Sequence, residues 1–337
     1  MHKRSLAGKS LGAIGYGCMS LSPSYGPPPD RVEGARLLNL ALDLGYDFFD
    51  TAAVYGLGGN ETLVGEALAA RRSEFFLASK CGLGPSPEGR RWLNGRPDEV
   101  KRLCDQSLKQ LKTDFIDLYY LHRLDPQVPI EDSVGALGDL VRARKIGAIG
   151  LSEISAATLH RACREFPVAA LQSEYSLWSR NPELGALEAC RQLGVTFVAF
   201  SPVARGFLTA APPNMATLDP TDMRHSMPRF LGEAYEANLK LHAEFSLIAK
   251  RLHCTPAQLS IAWVLHKGDD ILPIPGTGKE AHLRENAEAD QIALSDADLA
   301  ELEQLINAQT VAGPRYGPAM QAAIDTEMFD NERVAVV

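Results

Sequence analysis

The chain reads as an α/β protein whose core is a (β/α)8 TIM barrel, plugged at one end by an N-terminal β-hairpin and carrying extra helices after the seventh strand and at the C-terminus. Three features lead there. Eight short apolar runs alternate with amphipathic stretches at helical spacing, an order that demands a parallel sheet. The length of 337 residues accommodates a barrel of about 250 residues plus insertions. Finally, three successive strands end on Asp50, Lys80 and His122, as expected where a barrel delivers chemistry to its C-terminal rim. No linker of shifted composition divides the chain, so residues 1–337 are expected to form a single domain.

Residues 4–6 and 11–14 form the expected hairpin, with Gly8 in the intervening turn 7–10. Residues 15–19 make the first core strand, and the proline-rich loop 23–29 cannot be helical. Asp30 caps a helix running to Leu44, in which Leu37, Leu38, Ala41 and Leu42 share a face. The strand ending at Asp50 leads to a helix over 60–70. Strand 75–79, ending on Lys80, leads to a helix over 97–111, and strand 115–121, ending on His122, to one over 129–144. Strands at 148–152, 169–173, 195–200 and 271–274 complete the eight, with helices over 156–166 and 182–193. The insertion between Phe200 and Ile271 holds an irregular stretch, 202–228, then helices over 233–252 and 256–266. Ser295 and Asp298 make a capping-box-like start for a helix ending near Ile306, before a tail over 311–337.

Hydrophobic content of 45% and charged content of 23% are ordinary for a globular protein. A net charge of -8 argues against nucleic-acid or anionic-membrane partners, whose phosphates would be repelled. Small molecules are the expected ligands. The six cysteines are scattered with no C-x-x-C pair, which fits a reduced, cytoplasmic setting and suggests neither a disulfide frame nor a zinc ribbon. His2, Lys3 and Arg4 resemble the start of a signal peptide, but Gly8, Lys9 and Ser10 interrupt any apolar run behind them. No segment is long and apolar enough to span a bilayer.

The segment 45–56 reads G-Y-D-F-F-D-T-A-A-V-Y-G, so that Tyr55 lies in the loop just after Asp50. With Lys80 and His122 at their spacings, this block closely resembles the signature of the aldo-keto reductases. Further matches are G-A-I-G-L-S at 147–152, L-Q-S-E-Y-S-L at 171–177, F-S-P-V-A-R-G-F-L at 200–208 and P-I-P-G-T at 273–277. The G-C-M-S at 17–20 and the 200–208 block look most like the bacterial and plant branch with pyridoxal reductase-like and auxin-induced-like members; potassium channel β-subunits are more distant kin.

The resemblance implies NADPH-dependent reduction of an aldehyde or ketone, with NADH possible as an alternative donor and a small carbonyl compound as the partner. Reduction places negative charge on oxygen, so the site must supply a proton and stabilise the alkoxide. The family implies Tyr55 as the acid, Lys80 as a cation lowering its pKa, Asp50 as the counter-charge and His122 as a second donor to the carbonyl. A Rossmann G-x-G-x-x-G is missing after the first strand, so the barrel rim must hold any dinucleotide. By resemblance, nicotinamide stacks on Phe200, where relatives often carry Tyr, with Ser152 and Gln172 on its carboxamide. Ser201, Arg205, Gly206 and Leu208 match the loop over the pyrophosphate. Gly276, Thr277 and Lys279 sit where the adenosine 2′-phosphate is received, and His282, Glu285 and Asn286 face adenine. Many relatives carry a basic residue right after Gly-Thr. Here that position is Gly278, leaving Lys279 as the expected lone cation and a weaker discrimination against NAD.

Substrate selection is expected to fall to Met19, Tyr25, Trp92, Trp178 and Tyr316, apolar or aromatic residues in loops at the barrel mouth. Two other readings share this barrel: a Schiff-base lyase using Lys80 as nucleophile, and a non-catalytic nucleotide sensor docking to a partner. Metalloprotease H-E-x-x-H and hydrolase G-x-S-x-G motifs do not occur, and no metal site is expected.

Overall fold

The structure, a computed structural model, describes residues 1–85 and 91–332; the final residues of the expected tail, 333–337, lie outside the described residues. The hairpin pairs β1 (Lys3–Leu6) with β2 (Lys9–Gly12) through a two-residue turn. Its second strand therefore starts earlier than the sequence suggested, because Ala7 and Gly8 both adopt positive φ and match the right-handed twist of the strands. The core strands follow as β3 (Tyr16–Gly17), β4 (Phe48–Asp50) and β5 (Phe76–Cys81). A small antiparallel pair, β6 (Leu83–Pro85) and β7 (Arg91–Leu93), which the sequence did not reveal, stands on the loop after β5. Then come β8 (Ile116–Leu121), β9 (Ile146–Ser152), β10 (Val168–Glu174), β11 (Thr196–Phe200) and β12 (Ile271–Ile274).

These eight core strands are all parallel, in the order β3-β4-β5-β8-β9-β10-β11-β12. Gly15 N–H donates to the carbonyl of Pro273 at 2.9 Å and Gly17 N–H to that of Pro275 at 3.2 Å, which brings the ends of the sheet together into a barrel. The first core strand is shorter than expected, since residues Cys18–Leu21 turn into a 3-10 coil.

Helices α1 (Arg31–Asp43), α2 (Gly59–Leu68), α3 (Pro97–Leu111), α4 (Ile130–Arg142), α5 (Ala156–Glu165) and α6 (Ala186–Leu193) connect the strands. The helix expected from Pro182 is split. Asn181–Leu184 is a 3-10 turn and Gly185 leaves the helical region before α6 begins. The insertion supplies α7 (Gly232–Arg251) and α8 (Pro256–His266), followed past β12 by α9 (Glu280–Ala287), α10 (Asp296–Leu305) and the short α11 (Pro318–Gln321). The caps read from sequence are formed: Asp30 accepts from Glu33 N–H, and Ser295 and Asp298 close a capping box.

Two apolar layers result. Side chains alternate across each strand, so inward residues fill the barrel and outward ones meet the helices. Phe48, Phe76, Ala78, Leu118, Tyr120, Ala170, Val198 and Leu272 pack inside, with Leu6 and Leu11 of the hairpin sealing the bottom. Phe49, Leu77, Tyr119, Ile149, Leu171 and Phe197 lie in the outer layer. Gly150 sits beside Tyr120 in the register, and a Cβ there would come within 2.3 Å of the Tyr120 ring; the missing side chain makes room for the phenol.

Candidate functional site

The same alternation aims the polar strand ends inward. On β4, Phe48 points in, Phe49 out and Asp50 in; on β5, Phe76 and Ala78 point in, which carries Lys80 to the interior. On β8 the order from Leu118 to Leu121 runs in, out, in, out, so His122 follows on the inner side. Ser152, Gln172 and Phe200 fall on the same parity on β9, β10 and β11. The loop after β4 then doubles back. Gly56, Leu57 and Gly58 all have positive φ, at 55°, 53° and 87°, a conformation cheap only for glycine. The buried Asn60 anchors it, accepting from Thr51 Oγ1 at 2.6 Å and donating to Cys18 O and Ser22 Oγ.

These elements bring Asp50, Lys80, Tyr55 and His122 together. Lys80 is fully buried and its ammonium donates to Asp50 Oδ1, to Thr51 O at 2.9 Å and to Tyr55 OH at 3.2 Å. All three ammonium protons are thereby accounted for. Gln172 Nε2 donates to the other Asp50 oxygen at 2.8 Å, so its amide is turned toward the carboxylate. The Tyr55 and His122 rings meet edge to face with centroids 5.8 Å apart, and Lys80 Nζ lies 4.9 Å from the centre of the Tyr55 ring.

Burial pushes the Asp50 carboxyl above its ordinary value, against the pull of Lys80 and Gln172. Burial also works against the Lys80 ammonium, but Asp50 and Tyr55 outweigh it and hold its pKa above that of a free lysine. For Tyr55 the sequence suggested a lowered phenol. The structure corrects this: burial dominates and raises it, with Lys80 and Arg123 only partly compensating. At neutral pH the cluster therefore holds a protonated phenol against a fixed ammonium, an arrangement able to donate a proton and stabilise an oxyanion.

The residues assigned to the cofactor are distributed as follows. Phe200 is half-buried at the end of β11, and Ser201, Arg205 and Gly206 all have positive φ in the loop behind it. Arg205 is not free at the rim: its side chain is 7% exposed, pairs with Glu174 at 2.6 Å and donates to the Tyr316 hydroxyl at 2.7 Å. Leu208 is wholly buried and serves the core. Gly276 and Lys279 are exposed, Thr277 Oγ1 accepts from Lys279 N–H at 3.1 Å, and His282 Nδ1 lies 3.5 Å from that hydroxyl. Asn286 is buried and Glu285 half-buried on α9. Lys279 is not the lone cation the sequence suggested, because Arg36 from α1 and Arg284 from α9 both converge on the adjacent Glu280.

Two of the five expected substrate residues are relocated. Trp178 is 4% exposed and stacks on Phe207 with centroids 4.1 Å apart; long-range packing draws it into the core. Tyr316 is also buried, its hydroxyl bound to Arg205, Arg315 and Glu174. Met19 and Tyr25 are half-buried, with Arg224 over the Tyr25 ring, and Trp92 on β7 is 41% exposed. What the sequence reading missed is the tail lock. Arg315 bridges Glu153 at 2.5 Å and Glu174 at 3.3 Å, and Arg229 pairs with Glu332 at 2.9 Å. Glu174 shares the inward parity of Gln172, a signal that could have exposed it. Arg123 directly follows His122 and donates to His122 O and Ser152 Oγ.

A packed parallel barrel with its polar cluster at the C-terminal rim is the layout of a barrel enzyme. A model of the aldo/keto reductase family matches residues 13–307, and the chain belongs to that family of oxidoreductases. It is 42% identical over 327 residues to aldo-keto reductase yakc [NADP(+)] of Schizosaccharomyces pombe, covering 95% of this chain and 96% of that protein. It is 39% identical over 316 residues to probable aldo-keto reductase 1 of Glycine max, covering 93% and 91%. Among solved structures, glycerol dehydrogenase AKR11B4 from Gluconobacter oxydans superposes with a TM-score of 0.84 at 26% identity, covering 94% of this chain and 98% of that one.

Proposed function

We propose that the protein reduces aldehyde or ketone carbonyls to alcohols with NADPH as the hydride donor, Tyr55 supplying the proton. The observation that carries this is the Tyr55 hydroxyl 3.2 Å from a buried Lys80 ammonium, itself neutralised by Asp50. As negative charge grows on the substrate oxygen, Tyr55 hands over its proton, and Lys80 stabilises the phenolate left behind. His122 stands edge-on to Tyr55 and orients the carbonyl between them.

The rim residues fit the dinucleotide. Lys279 is exposed with no carboxylate in ion-pair range among the described residues, beside Thr277 and His282, a donor set suited to a phosphate. Phe200 offers a ring for the nicotinamide, with Ser152 and Gln172 beside it, and Ser201 and Gly206 would border the pyrophosphate, Arg205 reaching it only by giving up its pairing with Glu174. Gly276, Glu285 and Asn286 would complete the adenosine side. Bound nicotinamide supplies the hydride. The Schizosaccharomyces pombe relative, named as an NADP(+) enzyme, supports the cofactor assignment. A cytoplasmic location goes with the same function, the six cysteines being unpaired.

A Schiff-base role for Lys80 is disfavoured, because its nitrogen is protonated and every N–H is engaged. Turnover also separates an enzyme from a nucleotide sensor. The test follows NADPH and NADH absorbance separately with a panel of aldehydes, ketones, quinones and pyridoxal. Sustained NADPH oxidation is expected with some members. Stoichiometric oxidation without turnover across the panel, or covalent trapping of substrate on Lys80 by borohydride without nucleotide, would overturn the assignment.

A further inference from the structure

Among the described residues, the buried guanidinium groups near the barrel mouth each hold a carboxylate: Arg205 with Glu174 at 2.6 Å, Arg229 with Glu332 at 2.9 Å and Arg315 with Glu153 at 2.5 Å. Arg123 does not. It is half-buried, and its hydrogen bonds run from Nη1 alone, to His122 O at 2.6 Å and Ser152 Oγ at 3.2 Å, both neutral acceptors. No acid lies within ion-pair range of it among the described residues. Glu153 feels its charge, but that carboxylate is occupied by Arg315, by Thr326 Oγ1 at 2.7 Å and by the Glu174 N–H at 2.9 Å.

The location is as informative as the missing partner. Arg123 lines a small recess of about 10 Å³ with Leu83, Tyr316, Met320, Ala323 and Ile324, and among the described residues its guanidinium is the one cation there. It directly follows His122, and its charge reaches the Tyr55 phenol. Nη1 is fixed between a strand-end carbonyl and the Ser152 hydroxyl, which leaves Nε and Nη2 without a hydrogen-bond acceptor among the described residues. Arg123 is half-buried and its Nε and Nη2 are not among the buried unpartnered atoms, so a ligand can replace the water on that edge, and a planar carboxylate matches it with two parallel hydrogen bonds.

We propose that Arg123 is the anion-recognising residue beside the catalytic cluster, and that the preferred substrates are carbonyl compounds carrying a carboxylate on an apolar spacer. This rests on the reductase function above. The carbonyl would lie between Tyr55 and His122, the spacer against Leu83, Met320 and Ile324, and the carboxylate on Arg123. Arg123 thus selects and positions substrate; the proton still comes from Tyr55.

The test compares kcat/KM for 4-carboxybenzaldehyde and its neutral isostere methyl 4-formylbenzoate, with saturating NADPH. A charged hydrogen-bonded pair in a partly dry site corresponds to a preference of roughly 10 to 100-fold for the acid, expressed mainly in KM. R123M should bring the ratio down to about one, R123K should retain part of it, and R123E should favour the ester. Thermal melting identifies any variant that fails to fold, in which case R123K carries the comparison. Equal use of acid and ester by the wild type, or a ratio unchanged in the folded variants, would overturn the assignment of Arg123 while leaving the reductase intact. No oxidation of NADPH with either compound or with the wider panel would instead remove the reductase function, and this inference with it.

Discussion

Replacing Tyr55 by Phe removes one oxygen from the site and little else. The ring keeps its edge contact with His122 and its place 4.9 Å from Lys80 Nζ. Lys80 keeps Asp50 and the Thr51 carbonyl as acceptors, so the fold loses a single hydrogen bond, about 1 kcal/mol. On the proposed mechanism, catalysis loses its acid. A positioned general acid is worth roughly 10² to 10⁴ in rate, equivalent to about 3 to 5 kcal/mol of barrier at 1.36 kcal/mol per decade. Steady-state kinetics should show that drop in kcat, while titration of NADPH fluorescence gives an unchanged Kd. The pH profile provides an independent reading. Burial holds the Tyr55 pKa above the usual phenol value of about 10. The protonated form needed for reduction is thus complete at neutral pH and is lost only as pH rises through that raised pKa; oxidation of the alcohol, which needs the phenolate, should change in the opposite sense. Tyr55→Phe should lack this alkaline limb. A variant within roughly threefold of wild-type kcat would refute the role of the hydroxyl.

Lys279→Met should weaken NADPH binding about 10-fold or more while leaving NADH binding unchanged, because on the proposed reading only the 2′-phosphate would meet the ammonium; an unaltered NADPH Kd would remove Lys279 from the cofactor site. Burial opposes the Glu174 charge, but Arg205 and Arg315 hold its pKa down to about 2. Its contribution to stability is present above the ordinary carboxylate pKa of about 4.5 and is lost as pH falls toward 2. Glu174→Gln, which strands Arg205, should cost about 3 to 5 kcal/mol at neutral pH and flatten the acid limb of Tm against pH; a melting curve matching wild type would contradict the tail lock. Gly150→Ala would drive a Cβ to 2.3 Å from the Tyr120 ring, and should lower stability by roughly 1 to 3 kcal/mol in chemical denaturation. A Tm equal to that of the wild type would mean the barrel interior is looser than the packing indicates.

Strand and helix order were legible because they rest on spacings of two and of three to four residues, which survive in the linear chain. Asp30 and Ser295 announced their helices through caps whose hydrogen bonds reach only three residues ahead. The rim cluster was legible for the same reason: Phe48, Phe49 and Asp50 carry the in-out alternation that turns the carboxylate into the barrel. The errors fall where a local pattern competes with something distant. Trp178 resembles a loop aromatic at a pocket wall until Phe207 and Phe230, far along the chain, cover it. The helix read from Pro182 stops at Gly185, where Glu327 of the tail packs against the backbone.

On which strand end each polar residue sits followed from short-range stereochemistry. Which charge meets which did not. Arg205 looks like a phosphate ligand in its loop, yet it is buried against Glu174 and Tyr316, residues 31 and 111 positions away. Arg123 looks like an ordinary surface cation beside His122, yet the fold leaves it half-buried with no acid in ion-pair range among the described residues. Electrostatic and packing energies depend on distances through space that close only when the barrel and its tail assemble, so the pairing of charges, and with it the identity of the open guanidinium, emerges only in three dimensions.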